Sequence, residues 1–215
     1  MPKQMFIRTK QNTIENEMFE IISTNIDAPL LEKELYNFLG THDFWDRSQI
    51  SLTSLDGEND WTCTTGGSHR LTAQYRNFRA NAKTVNIEGE YKILNKDLED
   101  TYIGELIKEY NQYYRWRLLN ITPGKCYTVH TDAPPQGRFS NFINKRIHIP
   151  ITTNPEAFFC YHSDMPADGL ETPVKFHHMP LGSAYEVNTS LLHGAVNYGK
   201  TPRYHMVGVR YEKQA

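Results

Sequence analysis

Between Trp116 and Tyr211 the chain is a succession of short β-type runs cut by turn residues, and this stretch narrows the possible folds more than any other. Trp116 to Ile121, Cys126 to Thr131, Arg146 to Thr152, Ala157 to Tyr161, Ser183 to Val187 and Tyr204 to Tyr211 all read as strands. Pro123-Gly124, Pro134-Pro135, Asn154-Pro155, Pro180 with Gly182, and Gly199 through Pro202 separate most of them. Strands this short, with no helices between them, pack as an antiparallel sandwich or barrel.

The N-terminal half is mixed. Met18 to Ser23 reads as a strand, and Asp27-Ala28-Pro29 is a helix start, an Asx cap followed by proline in the first turn. The run from Leu30 repeats its apolar residues at helical spacing and stops at Gly40. A second helix is predicted from Leu98 to Tyr113, where Leu98, Tyr102, Leu106 and Tyr110 recur every four residues. Residues 51–82 show no clear period, and Gly66-Gly67 marks a turn among them. No repeat or linker divides the 215 residues, so the expectation is one domain, residues 1–215. In it a mixed α/β region, residues 1–114, supports a β-core over residues 115–211.

Composition removes several classes of function. Lys plus Arg is 23 against 25 for Asp plus Glu, a net charge of −2, so there is no basic field for nucleic acid. No run of about 18 apolar residues is present to span a membrane. The first twenty residues lack the apolar core of a secretory signal. Cys63, Cys126 and Cys160 are too few and too scattered for a disulfide framework or zinc ribbon. A cytoplasmic protein without nucleic-acid or membrane partners is expected. With 39% hydrophobic and 12% aromatic residues the chain can bury a core.

Nine histidines are present, and two of them open an H-x-D triplet, His130-Thr131-Asp132 and His162-Ser163-Asp164. On a strand, residues i and i+2 point the same way, so a strand-end H-x-D aims imidazole and carboxylate at one ion. A distant histidine completes the two-His-one-carboxylate triad that holds Fe(II) on one face and leaves the other open. The strands and turns between the ligands need on the order of 40 residues. His193 lies 63 residues after His130 but only 31 after His162. His130 also ends an alternating strand, whereas His162 opens a polar, loop-like segment. His130, Asp132 and His193 are therefore the candidate ligands, and His162 a surface residue.

Arg146 and His148 alternate onto one face of their strand, and Arg203 lies ten residues after His193. A buried arginine needs an anion, and its fork matches a carboxylate. A metal site flanked by two such cations suits a dicarboxylate cosubstrate, one end on iron and the other on arginine. The remaining side chains have plainer readings. Asn197 organises a loop, while Trp116, Tyr113 and Tyr114 fill the core. Cys126 and Cys160 are small buried apolar residues, and His177-His178 is solvated loop. His205 shares the face of Arg203 and ranks low as a site residue.

Three stretches, NITPGKCYTVHTD (120–132), RIHIPITTN (146–154) and GSAYEVNTSLLHGAVNYGKTPRY (182–204), resemble the aspartyl/asparaginyl β-hydroxylase branch of the Fe(II)/2-oxoglutarate-dependent oxygenases. The order carries the resemblance: Pro-Gly before a strand ending in His, then R-x-H-x-P, then Gly, then His-x3-Asn with Arg ten beyond that His. It implies a double-stranded β-helix, a jelly-roll or cupin-like core, with His130 and His193 on iron. Arg203 would take the distal carboxylate of 2-oxoglutarate, with Arg146 and His148 near its metal-bound end. Three positions depart from the pattern. Asp132 supplies a carboxylate that some members lack, and Asn188 stands where an acidic residue is frequent. Leu119 stands where a hydroxyl residue would help hold the distal carboxylate, so another partner is required.

The activity so implied is hydroxylation of an unactivated C–H in an amino acid or peptidyl residue. It consumes O2 and 2-oxoglutarate, with succinate and CO2 as coproducts. The substrate is of Asp/Asn type in a peptide, or a free amino acid such as proline. The imidazoles must be neutral to bind, so metal affinity falls as pH drops through the histidine range. Two rivals stand beside this reading. One is a non-catalytic β-barrel protein binding a small carboxylate, and the other is a cupin-like metalloenzyme that uses no oxoacid.

Overall fold

The computed structural model describes residues 18–41, 48–58, 87–132, 142–162 and 174–213. Its elements in chain order are β1 (Phe19–Ser23), α1 (Ala28–Thr41), β2 (Gln49–Ser51), β3 (Thr53–Ser54), β4 (Ile93–Leu94) and α2 (Tyr102–Glu109). Eight strands follow: β5 (Tyr114–Ile121), β6 (Lys125–His130), β7 (Phe142–Thr152), β8 (Ala157–His162), β9 (Val174–His177), β10 (Ala184–Asn188), β11 (His193–Asn197) and β12 (Arg203–Lys213). Short 3-10 turns occupy Ile87–Glu90 and Lys96–Leu98. The fold is a jelly-roll of a six-stranded sheet, β1-β10-β7-β12-β5-β2, and a four-stranded sheet, β6-β11-β8-β9, with every pairing antiparallel. The two outer strands of the larger sheet, β1 and β2, come from the N-terminal half.

Alternation along the six-stranded sheet separates its two faces. Ile147, Ile149, Ile151, Leu118, Trp116 and Met206 point outward and pack under the helices in the main core. α1 contributes Leu31, Leu35 and Phe38, the i, i+4, i+7 stripe of a helix with one apolar face. Asp27 caps it, its Oδ1 accepting from the Leu30 amide at 3.0 Å, and the helix runs one residue past Gly40.

The second helix is shorter than its periodicity predicts. Leu98 ends a 3-10 turn, and the Thr101 hydroxyl starts α2 by accepting from the Gly104 amide at 3.0 Å. Both carboxylate oxygens of Glu34 on α1 accept from the next two amides, Tyr102 at 2.7 Å and Ile103 at 2.9 Å. At its other end Tyr110 leaves helical geometry, so Asn111 to Tyr113 form a turn into β5. The predicted turn at Gly66-Gly67 and most of the aperiodic segment lie outside the described residues.

A bulge at the start of β5 sets which of its side chains face inward. Arg115 has φ of 52°, and the β12 register jumps from Val207↔Arg117 to Val209↔Tyr114. Trp116 is thereby turned outward over Gly208, where an added Cβ would lie 2.8 Å from its ring. Arg117, Leu119 and Ile121 then face the smaller sheet, paired with Val207, His205 and Arg203. A second core lies between the sheets, with Phe159 and Tyr161 of β8 against Tyr185 and Val187 of β10. Beside it, on the same inner face, sit the polar side chains of the site.

Several plain readings are corrected here. His162 is the last residue of β8 and half-buried. His177 ends β9, stacked on Phe19 with centroids 4.5 Å apart. His178 is half-buried, its Nδ1 3.1 Å from the Ala157 carbonyl oxygen. None of the three is solvated loop, because β9 pairs with β8 and carries the segment into the sheet. Cys126 is exposed while Cys160 is buried, as the smaller sheet presents its outer face to solvent at β6. Trp116 and Tyr113 are buried as expected, and Asn197 organises its loop through four hydrogen-bonding partners.

Candidate metal centre and anion pocket

Two adjacent strands, β6 and β11, bring the histidines together. His193 pairs directly with His130, but Ala195 pairs with Tyr127, so Thr128 and Val129 bulge opposite Gly194. A Cβ at Gly194 would lie 2.9 Å from the Tyr127 carbonyl oxygen and 3.5 Å from Thr128 and Val129 backbone atoms. Glycine here is what lets the bulge lie flat on β11. The imidazole centroids are then 4.5 Å apart, and His193 stacks parallel on Phe159 at 5.5 Å.

Backbone carbonyls set the tautomers. His130 Nδ1 is 2.7 Å from the Thr128 oxygen and His193 Nδ1 is 2.8 Å from the Leu191 oxygen. A carbonyl only accepts, so each Nδ1 carries the proton and each neutral ring keeps its lone pair on Nε2. Metal-ligating histidines have the same arrangement.

Asp132 lies just beyond β6, its amide donating to the Thr189 oxygen at 2.8 Å. Thr189 is buried and in turn bound to Asn144, so β7 and the β10–β11 turn hold the aspartate in place. Asp132 Oδ1 is 3.7 Å from His130 Nε2 and 2.7 Å from an Arg146 nitrogen, and Oδ2 is 3.5 Å from His193 Nε2. Oδ2 is buried without a hydrogen-bond partner.

The donor atoms of His130, Asp132 and His193 lie within 4.8 Å of one another, the spread that one ion can close. Cis ligands each about 2.1 Å from an ion sit about 3 Å apart, so the observed separations are a few tenths of an ångström wide. Burial pushes the Asp132 carboxyl up, but the Arg146 guanidinium bound to it outweighs burial and holds it well below the usual carboxylate range. An ionised, partly unsatisfied carboxylate facing two imidazole lone pairs fits a divalent cation. These residues could hold one.

Three buried or nearly buried arginines, Arg117, Arg146 and Arg203, face the same space. Arg203 is 2% exposed and donates to His205 Nδ1 at 3.1 Å, with no carboxylate partner among the described residues. Burial lowers its guanidinium to about 10. Both nitrogens of His148 are buried without partners, and burial with the nearby Arg203 and Arg146 holds this imidazole neutral. His205 is neutral for the same reasons, burial first and Arg203 second. Arg117 has one nitrogen on Gln49 Oε1 at 3.0 Å, while its Nε and second terminal nitrogen are buried and unpartnered. Burial and the charge of Arg146 lower it to about 9.

All six residues predicted for the site thus fall on or beside one inner surface: His130, Asp132 and His193 converge, and Arg146, His148 and Arg203 line the space next to them. Arg146 is closer to Asp132 than the sequence indicates. Two residues were missed or undervalued. His205 supports Arg203 directly, and its i+2 spacing from that arginine is the signal that could have raised it. Arg117 left no signal, since its inward direction depends on the bulge at Arg115.

No family model and no curated protein matches this chain. Among solved structures it is similar to HygX from Streptomyces hygroscopicus with iron bound, at 11% identity, covering 95% of this chain and 86% of that one with a TM-score of 0.50. That likeness shows the fold. The non-heme alpha-ketoglutarate-dependent epimerase SnoN from nogalamycin biosynthesis matches at 11% identity over 98% of this chain and 83% of that one, TM-score 0.48. AviO1 from Streptomyces viridochromogenes Tue57 matches at 16% over 93% and 91%, TM-score 0.47. The fold is a cupin-type jelly-roll. Among the described residues no helix is long and apolar enough to cross a membrane.

Proposed function

We propose that the chain is an Fe(II)- and 2-oxoglutarate-dependent dioxygenase hydroxylating an unactivated C–H of an amino acid or peptidyl residue. The single observation carrying this reading is the convergence of two imidazole Nε2 atoms on the Asp132 carboxylate, one of whose oxygens is buried and unsatisfied, beside a buried arginine without a carboxylate partner among the described residues. His130, Asp132 and His193 would hold the iron. Arg203, held by His205, would bind the distal carboxylate of 2-oxoglutarate. Arg146 and His148 would sit toward the other end. Bound iron with 2-oxoglutarate and O2 supplies the oxidising equivalents for the hydroxylation.

The chain's own residues supply order and charge. Thr128 and Leu191 carbonyls hold a ring proton on each Nδ1, which turns Nε2 toward the metal position, and Arg146 keeps Asp132 ionised and aimed. Phe159 and Tyr161 exclude water behind His193. The sequence stretches around His130, Arg146 and His193 support the aspartyl/asparaginyl β-hydroxylase branch, with a small amino acid or peptide as substrate. One domain over residues 1–215, a cytoplasmic location, and no nucleic-acid or membrane partner complete the proposal.

Anaerobic titration of the Fe(II)-loaded protein with 2-oxoglutarate tests it. A saturable visible charge-transfer band, absent in His193→Ala and requiring much more 2-oxoglutarate in Arg203→Gln, is the expected result. Folded protein with no band would move the non-catalytic carboxylate-binding reading to the front.

A further inference from the structure

The inner face carries more positive charge than the proposed cofactors neutralise. Among the described residues three guanidinium groups, Arg117, Arg146 and Arg203, stand against one carboxylate, Asp132, which leaves an excess of two positive charges. No other carboxylate lies within 4 Å of Arg117 or Arg203 among the described residues, and His148 and His205 are neutral. Fe(II) and the 2-oxoglutarate dianion cancel each other, so binding both leaves that excess in place. Buried charge of one sign is costly unless an anion joins it.

Arg117 is the group with unused capacity. It is 4% exposed, and Nε and one terminal nitrogen are buried without partners, an edge of the fork that matches a carboxylate. It lies well away from the proposed distal-carboxylate site. Arg117 pairs with Val207, whereas Arg203 pairs with Ile121, four residues further along β5. At about 3.3 Å per residue the two backbones are about 13 Å apart. Val207 is also the partner of His148, and Arg117 senses both Arg146 and Asp132, which places it at the metal end of the pocket.

We propose that Arg117 is a substrate-binding residue, and that the molecule oxidised carries a carboxylate which the free edge of this guanidinium receives. The inference rests on the oxygenase reading and narrows its substrate class to acids, such as free amino acids or peptides bound through a carboxyl group. Arg146 is occupied by Asp132 and Arg203 by the cosubstrate, so each guanidinium has one anion.

The test uses the full chain, loaded anaerobically with Mn(II) and saturated with N-oxalylglycine, an unreactive 2-oxoglutarate analogue. Melting temperature is followed against each proteinogenic amino acid as the free acid and as its carboxamide. At least one acid is expected to raise the melting temperature where its amide does not. Arg117→Gln should abolish that difference while binding N-oxalylglycine within about twofold of the parent. In the ligand-free protein Arg117→Gln should raise the melting temperature, since an under-paired buried charge is removed; a fall would assign Arg117 a structural role and overturn the proposal. Acid and amide behaving alike, or a difference surviving Arg117→Gln, would also overturn it. Arg117→Gln weakening N-oxalylglycine tenfold, as expected of Arg203→Gln, would return Arg117 to the cosubstrate site. Failure of the parent to bind N-oxalylglycine at all would instead remove the oxygenase reading beneath it.

Discussion

Substituting Gly194 by alanine isolates the backbone device that aligns the two histidines. The new Cβ would lie 2.9 Å from the Tyr127 carbonyl oxygen, with Thr128 and Val129 backbone atoms at 3.5 Å. Ordinary contact requires β6 to retreat by about 0.5 Å, and overpacking of this kind costs about 1–3 kcal/mol. The displaced segment ends in His130, whose Nε2 is already 3.7 Å from Asp132 Oδ1. A shift of about 0.5 Å is the tolerance of a functional constellation, so divalent metal affinity should fall on the order of tenfold or more. Gly124→Ala is the matched control. Gly124 has φ of 73° with nothing within 4 Å of its added Cβ, so it carries backbone strain of about 1–2 kcal/mol and no clash. Urea denaturation would show both variants destabilised, and calorimetric Mn(II) titration would show only G194A binding weakly. Parent-like metal affinity in G194A would refute the claim that the β6 bulge positions His130.

Three further outcomes follow from the same contacts. Buried Glu186 accepts from Arg210 Nε at 2.5 Å, from Lys145 at 2.9 Å and from the Tyr113 hydroxyl; burial raises its carboxyl, but these donors together bring it to about 2. Its folded pKa is thus below the unfolded value of 4.5, so its stabilisation is complete above pH 4.5 and is lost as pH falls toward 2. The shift corresponds to about 3 kcal/mol, reduced to about 2 by solvent around Arg210, and a parent-minus-E186Q comparison of urea midpoints across that range measures it. Asn197→Ala removes the side chain that donates to the Ile121 and Thr201 carbonyls at 2.8 Å and accepts from the Gly199 amide at 3.0 Å. It should cost about 2–4 kcal/mol in the same assay. Trp116→Ala, at a fully buried side chain packed on Gly208, should cost about 3–5 kcal/mol while leaving Mn(II) affinity near the parent value, because Trp116 faces the helices.

The sequence alone determined the features that rest on local physics. Period-two alternation and turn residues placed β5, β6, β7, β8, β10 and β12 to within a few residues. The Asp27 cap and the apolar stripe placed α1. The strand-end position of His130 picked out the His130–Asp132–His193 cluster, but its separation from His193 was no guide: β8 also pairs with β11, Tyr161 lying opposite His193, and His162 is set apart only by alternation onto the other face. Arg146 and His148 followed from alternation, and Arg203 from its position relative to His193.

What only the tertiary structure decided depends on contacts between distant segments. The strand holding His193 is short and contains Gly194, so it has weak local preference and exists because β6 and β8 flank it. α2 was cut back by the Thr101 hydroxyl and by Glu34 from another helix. β9 joined a sheet only through its pairing with β8. The direction of Arg117 was set by a single positive φ at Arg115, one residue of slip that reverses every side chain after it. A bulge has no sequence period, so the residue that most changes the charge of the pocket became visible only once the strands were paired.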